Sequence, residues 1–400
     1  MAKIIVDENL INEVLNSRYI EAAFPSKDKI KALFLEGRRL SFYLGVDPTG
    51  PDIHLGHTTN LFLLKRIAEL GHKIIILIGD FTARIGDPTD KESSRKALTE
   101  KEVKENMKTY LEQVQKVLPK KMFEVKHNSA WLKKMSFEDV IRLASKFTVQ
   151  QMIARDMFQE RIKKEKPIFI HEFLYPLMQG YDSVAMEVDG EVGGNDQTFN
   201  MLVGRDLSKE VLGKDKVVIA TKLLEDPKTG KKLMNKSEGQ YISLNDAPND
   251  LFGKVMAMPD QSIIPVLSYA TEVPDSRLAE VRKMLDGGEN PKMAKEETAY
   301  ELVKLYYGEK EAQKAKEGFG KVFSEGKTPD NIEEFQISEE VAPILEVLEG
   351  SGLANSRSEA KRLVDQKAVT INGEAVEDWG HEIKKGDILK VGSHRFLKIV

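Results

Sequence analysis

The chain of 400 residues contains no cysteine, which excludes disulfide bonds, thiol chemistry and cysteine-based zinc sites. It has no apolar run that approaches the roughly 18 residues needed for a membrane-spanning helix. Its N-terminus is polar and charged and lacks the apolar segment of a secretory signal peptide. These absences fit the reducing interior of a cell, and we therefore expect a cytoplasmic protein.

A strong net charge is also missing, because 60 basic and 64 acidic side chains leave a formal charge of −4. A chain with this balance does not bind nucleic acid through its overall field, so any such contact must use a local basic patch. Hydrophobic residues make up 41% of the chain, which is enough for a sizeable core. The length predicts roughly two or three domains, and the sequence shows no internal repeat or low-complexity tract.

The stretch of residues 43–60, YLGVDPTGPDIHLGHTTN, combines glycines with two histidines, His54 and His57. It overlaps a β-prone run at 40–46 and leads into residues 58–70, whose apolar side chains fall on one helical face. We therefore predict that the histidines lie where a strand meets a helix N-terminus. Free N–H groups and the helix dipole attract anions at such a place, which indicates a nucleotide site.

Gly56, between the histidines, allows a nucleotide to approach the backbone closely. Two neutral imidazoles can also donate hydrogen bonds to phosphate oxygens. Two alternatives stay open for the motif by itself. It could be a zinc pair, although zinc needs further ligands, or the histidines could have a purely structural role.

The run KIIILIG at 73–79 is continuous and apolar, as expected of a strand buried on both faces of a parallel sheet. With the preceding strand and helix it makes a βαβ unit of about forty residues. We therefore predict an α/β class protein, with a Rossmann-like, doubly wound parallel sheet in residues 1–245. Within it, residues 1–40 are predicted to be helical, and residues 97–170 to be a helical insertion whose apolar stripes suit dimer contacts.

The loop after residue 79 carries Asp87, Lys91 and Arg95. It follows the carboxyl end of a sheet strand, where ligands of such sheets bind. Asp87 can pair with an ammonium group, and the two basic side chains can contact phosphates. The alternative is an ordinary solvated loop.

Tyr175, Gln179 and Asp182 are spaced i, i+4 and i+7, so they share one face of a predicted helix. A phenol, an amide and a carboxylate in line suit a pocket for an amphoteric ligand, although a solvated helix can align polar residues by chance. The Gly-Gly turn that follows delivers Asp196 and Gln197, and a carboxylate there can accept hydrogen bonds from ribose hydroxyls.

Residues 229–241, TGKKLMNKSEGQY, place Lys232 and Lys236 in a loop with glycine and serine. The lysines of this loop can neutralise triphosphate charge. The alternative is an ordinary basic surface loop.

The last part of the chain has a different pattern. Residues 246–325 are helical, 326–340 read as a linker, and 341–400 form a small α+β module with short strands and a basic helix. The basic side chains on one face of that helix are Arg357, Lys361 and Arg362. Basic side chains beside a small sheet suit structured RNA that is read by shape and phosphate.

Taken together, these features resemble the bacterial type of tyrosyl-tRNA synthetase, a family of class I aminoacyl-tRNA synthetases. The residues His54-Leu55-Gly56-His57 match the first class signature, and LMNKS at 233–237 is similar to the second, usually Lys-Met-Ser-Lys-Ser. The resemblance covers nearly the whole chain, because residues 341–400 are similar to an S4 RNA-binding domain.

The second signature departs from the family pattern at two positions. Leu233 stands where its first lysine should be, and Asn235 stands in place of serine. Lys232 lies one residue early, so a shifted loop could restore the missing charge.

The resemblance implies a tyrosine–tRNA ligase. Such an enzyme activates L-tyrosine with ATP, accompanied by Mg²⁺, to tyrosyl-adenylate and pyrophosphate. It then transfers tyrosine to the terminal adenosine of tRNA(Tyr). The resemblance also implies a homodimer, an anticodon-binding role for residues 246–325, and no tightly bound cofactor or resident metal.

Residue roles are implied by the same match. The phosphate contacts would be Thr49, His54 and His57. The groups that gather the leaving pyrophosphate would be Lys91, Arg95, Lys232 and Lys236. The ATP-binding set would be Asp47, Gly56, His54, His57, Asp196 and Lys236. The tyrosine-binding set would be Tyr43, Asp87, Tyr175, Gln179, Asp182 and Gln197, with Tyr43 and Asp182 at the phenol and Asp87, Tyr175 and Gln179 at the ammonium.

Three other interpretations stay open. Another nucleotidyltransferase with the HxGH signature would activate a small metabolite, but it would not need a basic C-terminal module. A tryptophanyl relative is disfavoured, because an indole ring has no partner for a carboxylate that is placed to bind a phenol. A non-catalytic RNA-binding paralogue would need a degenerate site, and only position 233 shows a loss.

Overall fold

A computed structural model of the chain describes residues 3–87, 98–234, 241–324, 333–337, 339–354, 356–392 and 395–400. Its helices are α1 (Glu8–Leu15), α2 (Lys27–Leu35), α3 (Thr58–Glu69), α4 (Glu100–Asn106), α5 (Tyr110–Gln115), α6 (Ser129–Leu132), α7 (Phe137–Ala144), α8 (Val149–Ile153), α9 (Asp156–Lys163), α10 (Ile170–Met186), α11 (Thr198–Leu212), α12 (Pro248–Ala257), α13 (Ile263–Tyr269), α14 (Asp275–Asp286), α15 (Pro291–Tyr307), α16 (Glu309–Ser324), α17 (Ile344–Gly350) and α18 (Arg357–Asp365).

The strands, also in chain order, are β1 (Ile20–Phe24), β2 (Ser41–Val46), β3 (Lys73–Ile78), β4 (Phe123–His127), β5 (Gly190–Gly194), β6 (Val217–Thr221), β7 (Glu333–Phe335), β8 (Val341–Pro343), β9 (Val369–Ile371), β10 (Glu374–Ala375), β11 (Glu382–Lys384), β12 (Ile388–Val391) and β13 (Arg395–Ile399). The chain divides into two units, one of Met1–Asn245 with Pro259–Pro291 and the other of Asp246–Met258 with Lys292–Val400.

The first unit contains the predicted doubly wound sheet. Its strand order is β1-β6-β5-β2-β3-β4, and all neighbours are parallel except β1 and β6. The continuous apolar run of β3 is buried beyond its first residue, as expected of a strand covered on both faces. Helix α3 buries Leu61, Leu64 and Ile67, which confirms the helical face predicted from their spacing.

Two strands of this sheet depart from the predictions. Strand β1 lies inside residues 1–40, so the prediction that this region is wholly helical is wrong at Ile20–Phe24. That strand is only five residues long and has two alanines, which carry little strand preference. Strand β4 lies inside the predicted helical insertion, where it pairs with β3 at the sheet edge. This strand is short and half-exposed, and strongly helical segments lie on both sides of it, so its sequence pattern is difficult to recognise.

In the second unit, residues 333–400 form a small α+β module. Its larger sheet has the order β10-β9-β12-β13-β7, and β8 pairs with β11 separately. Helices α17 and α18 contribute Leu348 and Val364 to a core that also contains Leu389 and Leu397. Strand β7 lies inside the stretch 326–340 that the sequence marks as a linker, and it pairs in parallel with β13.

Residues 246–325, which the sequence presents as one helical stretch, are shared between the two units. Helices α13 and α14 belong to the first unit, whereas α12, α15 and α16 belong to the second. In the part of the chain that the structure describes, no helix combines the length and apolarity required to cross a membrane.

Candidate active site

Asp47 directly follows β2, at the carboxyl edge of the parallel sheet. One carboxylate oxygen accepts a hydrogen bond from Thr82 Oγ1 at 2.7 Å, and the other accepts one from the Tyr175 hydroxyl at 2.9 Å. Gly79 makes room for this carboxylate, since a Cβ atom there would lie 1.8 Å from Asp47 Oδ1. Burial, together with the charges of Asp47 and Asp87, raises the pKa of Tyr175 well above its usual value. The Tyr175 phenol therefore remains a hydrogen-bond donor.

The two histidines lie around a single 3₁₀ turn, Leu55–His57, that leads directly into α3. The predicted position between a strand and a helix N-terminus is thereby confirmed. The ring centroids of His54 and His57 are 4.1 Å apart. His54 Nδ1 accepts a hydrogen bond from the Gly56 backbone N–H at 3.1 Å, so the neutral ring carries its proton on Nε2. That Nε2–H group is a donor suited to a phosphate oxygen. Thr49 lies half-buried on the loop before this turn.

The carboxylate of Asp182, on α10, is buried and held by two N–H donors. Trp131 Nε1 donates to Oδ1 at 2.7 Å, and Asn128 Nδ2 donates to Oδ2 at 3.2 Å. Burial raises the pKa of Asp182 well above its usual value, and the two donors oppose that shift. Tyr43 is also fully buried, and its hydroxyl lies 2.8 Å from Ser183 Oγ. Its hydroxyl is thus already hydrogen-bonded within the protein.

A chain of amide groups links the expected ammonium ligands. Gln179 Nε2 donates to Glu191 Oε1 at 3.1 Å, and Gln179 Oε1 accepts from Asn200 Nδ2 at 3.0 Å. The same Asn200 amide donates to Gln197 Oε1 at 3.0 Å, and Gln197 Nε2 donates to Asp87 Oδ2 at 2.8 Å. The structure therefore brings Gln179, Gln197 and Asp87 together through residues that are far apart in sequence.

Asp196 lies in the turn after β5, and Lys232 lies in the lysine-rich loop. Lys232 Nζ is 2.8 Å from Asp196 Oδ2, with both side chains partly exposed. Three further residues expected at the phosphates, Lys91, Arg95 and Lys236, fall outside the described residues.

The expected RNA-binding residues lie on α18 in the second unit, which confirms the predicted basic helix. Arg357 and Arg362 are exposed, and Lys361 is half-buried. Lys361 Nζ lies 4.6 Å from the ring centroid of Trp379. Arg362 also lies 3.7 Å from Glu359 Oε1, so Arg357 is the most open of the three cations on this helix face.

Sequence reasoning missed several residues of the site: Asn128, Trp131, Ser183, Glu191 and Lys216. Asn128 and Trp131 follow the carboxyl end of β4, so recognition of that strand would have pointed to them. Lys216 gives no such signal, because a lysine just before an apolar strand usually lies at the surface.

The arrangement can bind a charged, amphoteric molecule at the carboxyl edge of the sheet and a phosphate chain beside the histidine turn. Across the described residues, no three His, Asp or Glu side chains converge in the manner of a metal site.

The family described as "tRNA synthetases class I (W and Y)" matches residues 35–324, and the S4 domain matches residues 343–389. The chain is 45% identical over 382 residues to the tyrosine–tRNA ligase of Carboxydothermus hydrogenoformans, covering 93% of each chain. It is 45% identical over 364 residues to the corresponding protein of Thermotoga maritima, covering 90% of each.

Solved structures of similar fold include a truncated mitochondrial tyrosyl-tRNA synthetase from Aspergillus nidulans. It has a TM-score of 0.63 and 24% identity, and the match covers 78% of this chain and 94% of that one. The tyrosyl-tRNA synthetase of Archaeoglobus fulgidus, solved with L-tyrosine, has a TM-score of 0.61 and 21% identity. That match covers 78% of this chain and the whole of the other.

Proposed function

Because the chain belongs to the class I tRNA synthetases, within the group of tyrosine–tRNA ligases, we propose that it joins L-tyrosine to tRNA(Tyr) at the expense of ATP. The observation that carries the substrate choice is the buried Asp182 carboxylate, which accepts hydrogen bonds from Trp131 and Asn128. A fixed acceptor of this kind suits a phenolic hydroxyl.

The first step joins the tyrosine carboxylate to the α-phosphate of ATP. A carboxylate oxygen forms a bond to the α-phosphorus, and the bond from that phosphorus to the bridging oxygen of the β-phosphate breaks, which releases pyrophosphate. Tyrosine is already ionised as the nucleophile, so the reaction needs no general base. The protein contributes by positioning the two reactants and by stabilising the negative charge that develops on the phosphates.

The histidine turn is the proposed source of that stabilisation. The Nε2–H donor of His54 is on the ring nitrogen that does not bind the Gly56 backbone, and the N-terminus of α3 lies next to this residue. We assign phosphate contacts to Thr49, His54 and His57. Lys91, Arg95, Lys232 and Lys236 would gather the leaving pyrophosphate, and Mg²⁺ would enter with ATP as part of the substrate.

At the other end of the pocket, the amide chain is the proposed ammonium site. Gln179 Oε1 and the Asp87 carboxylate are acceptors, and Tyr175 is linked to the Asp47 carboxylate. An α-ammonium group needs three acceptors, which this cluster can supply. Asp47 and Asp196 would contact the adenylate or its ribose.

The second step transfers tyrosine to tRNA. A hydroxyl of the terminal adenosine attacks the acyl carbonyl carbon, and the bond from that carbon to the AMP oxygen breaks, which releases AMP and the hydroxyl proton. We assign phosphate contacts with the tRNA to Arg357, Lys361 and Arg362. Residues 246–325 would bind the anticodon. The enzyme would act in the cytoplasm, where tRNA and ATP are supplied.

We further infer a homodimer. Exposed apolar side chains cluster in sequence on α7 to α10: Phe137 and Ile170 are each 80% exposed, and Val149 is 64% exposed. Ile141 and Phe169 are also exposed. Exposed large apolar side chains on consecutive helices favour an interface, and a second copy of the chain is the occupant we propose.

The test of the function is ATP–pyrophosphate exchange measured with each of the twenty amino acids. We expect tyrosine alone to stimulate exchange strongly. Exchange that no amino acid stimulates would indicate a nucleotidyltransferase for another metabolite. Exchange stimulated by tryptophan would instead indicate a tryptophan–tRNA ligase, the other activity in this family.

A further inference from the structure

A lysine ammonium group is wholly buried beside the tyrosine pocket. Lys216 precedes β6 and is 0% exposed. Its Nζ forms an ion pair with Glu191 Oε2 on β5 and donates a hydrogen bond to Ser183 Oγ on α10 at 2.8 Å. Burial lowers the pKa of Lys216, and the nearby Glu191 charge opposes that shift. The phosphate and phenol chemistry proposed above makes no use of this pair.

The pair reaches the pocket by two routes. Glu191 Oε1 accepts a hydrogen bond from Gln179 Nε2 at 3.1 Å, so the carboxylate that pairs with Lys216 also holds an expected ammonium ligand. Ser183 Oγ lies 2.8 Å from the Tyr43 hydroxyl, so the same ammonium is one side chain away from an expected phenol ligand. One buried charge pair is thus linked to both ends of the proposed tyrosine site, directly to Gln179 and through Ser183 to Tyr43.

The contact with Glu191 fixes which way the Gln179 amide faces. A carboxylate can only accept hydrogen bonds, so the Gln179 NH₂ group must be directed at it. Gln179 Oε1 is then directed elsewhere, accepts from Asn200 Nδ2 at 3.0 Å, and keeps a second lone pair. An amide turned the other way would present N–H donors to the α-ammonium group of tyrosine, which would be repelled.

The packing of two helices is adapted to this lysine. A Cβ atom at Gly204 on α11 would lie 2.7 Å from Lys216 Nζ and 2.9 Å from Ser183 Oγ. A Cβ atom at Gly180 on α10 would lie 3.2 Å from the Gly204 backbone nitrogen. The close approach of the two glycines therefore leaves the space in which the ammonium group meets its partners.

We propose that Lys216 and Glu191 are positioning residues for the amino acid substrate, which orient the Gln179 amide toward the α-ammonium group and the Tyr43 hydroxyl toward the phenol. The inference rests on the proposed function, because it takes tyrosine as the ligand. The pair does not touch the reacting atoms, so its loss should weaken tyrosine binding more than it affects ATP.

The test is Lys216→Met, which keeps most of the length of the side chain and removes its charge and its hydrogen bonds. Breaking a buried, hydrogen-bonded charge pair should raise the KM for tyrosine about tenfold or more, with the KM for ATP changed less than about twofold. Exchange by the unaltered protein with tyrosine tests the proposed function separately. A wild-type protein that responds to tyrosine and a variant with an unchanged KM would overturn only the inference.

A matched control is Arg161→Met. Arg161 and Glu172 form a second buried ion pair in the same unit, with side chains 3% exposed. Among the described residues their further hydrogen bonds go to the Pro167 carbonyl and the Phe169 backbone N–H, which lie outside the proposed tyrosine-binding set. This variant should lose thermal stability without a change in the KM for tyrosine. If Lys216→Met behaves in the same way, the Lys216 pair only supports the fold and the proposal is wrong.

Two milder variants keep the proposal testable if Lys216→Met does not fold. Ser183→Ala leaves the ion pair intact and cuts only its link to Tyr43, so it should raise the KM for tyrosine and weaken the rejection of phenylalanine. Adding Glu191→Gln to Lys216→Met removes the uncompensated charge while a carboxamide oxygen can still accept from Gln179. The double variant should therefore fold and have a higher KM for tyrosine than the unaltered protein, and an unchanged KM together with an inert Ser183→Ala would overturn the proposal.

Discussion

Lys232 Nζ lies 2.8 Å from Asp196 Oδ2, which joins the lysine-rich loop to the turn after β5. Asp196 is the carboxylate that we assign to the ribose. Lys232 stands one residue before the position where the second class signature has its first lysine, and Leu233 occupies that position. The ion pair places the charge of Lys232 at the nucleotide end of the site, which suits a replacement for the missing lysine.

We therefore predict that Lys232→Ala slows adenylate formation about as much as Lys236→Ala, by roughly 10²-fold, because each lysine would neutralise charge on the leaving pyrophosphate. Stopped-flow or exchange kinetics would measure the loss. The neighbouring exposed lysine supplies the control, and Lys231→Ala should retain nearly full activity. An inert Lys232→Ala would show that the missing charge is not replaced from this position.

The buried Asp182 leads to a prediction about specificity. If its carboxylate receives the phenol, phenylalanine offers no donor to the lone pairs that Trp131 and Asn128 leave over, and it is therefore rejected. Tyrosyl-tRNA synthetases reject phenylalanine by a factor of about 10⁵, a magnitude taken here from that class of enzyme. Asp182→Ala should abolish most tyrosine activation in the exchange assay. Near-normal kinetics with tyrosine in this variant would contradict the assignment.

The histidine turn should act mainly on the transition state. His54 Nε2–H is a donor that gains strength as negative charge develops on the phosphates. We expect His54→Ala and His57→Ala each to lower kcat for adenylate formation by on the order of 10²-fold, with a smaller change in the KM for ATP. An effect confined to KM would instead mean that the histidines bind ATP in the ground state only.

Removal of the C-terminal module should separate amino acid activation from tRNA charging. The core of that module is made by its own residues, from Ile337 to Ile399, and β7 belongs to its sheet. Deleting residues 333–400 should therefore spare tyrosine-dependent exchange and greatly reduce charging of tRNA. A truncated protein that charges tRNA at the full rate would show that the module is dispensable.

Substitution of the basic side chains of α18 tests their contribution to tRNA binding without removing the module. Substituting Arg357 and Arg362 by glutamine should weaken tRNA binding and flatten its dependence on salt, because fewer counterions would be released from phosphates. Filter binding across a salt series would measure the slope. An unchanged slope would remove these side chains from the tRNA contact.

A buried histidine in the first unit should make stability depend on pH. Burial lowers the pKa of His72 from 6.5 to about 4, and its Nδ1 accepts a hydrogen bond from the Leu40 backbone N–H at 3.3 Å. The folded state therefore favours the neutral ring, so this contribution to stability is complete above pH 6.5 and is lost as the pH falls toward 4. From pH 7.5 to pH 5 the loss should be about 2 kcal/mol.

The measurement compares the pH dependence of unfolding in wild type and His72→Asn, since asparagine can still accept from Leu40. The variant should lose less stability between the two pH values. His171→Asn makes the same replacement at an exposed position and should leave the dependence unchanged. Equal slopes in wild type and His72→Asn would contradict the prediction.

Several parts of the site follow from the sequence because they depend on local geometry. The i, i+4 and i+7 spacing of Tyr175, Gln179 and Asp182 places them on one face of α10 whatever surrounds that helix. The His54–His57 turn is similarly local, since it leads directly into α3 and follows β2 after a short loop. The apolar run of β3 likewise predicts a strand of a parallel sheet from local sequence alone.

Other features were decided only when distant segments packed together. Strand β1 exists because it pairs with β6, about 200 residues later, and β4 exists because it pairs with β3. Lys216 is the clearest case. Nothing near it in sequence predicts burial. Its partners lie 25 residues away, at Glu191, and 33 residues away, at Ser183. Ser183 in turn is 140 residues from Tyr43. A charged side chain can be buried only where a counter-charge and hydrogen-bond partners meet it, and tertiary packing alone brings those partners to one point.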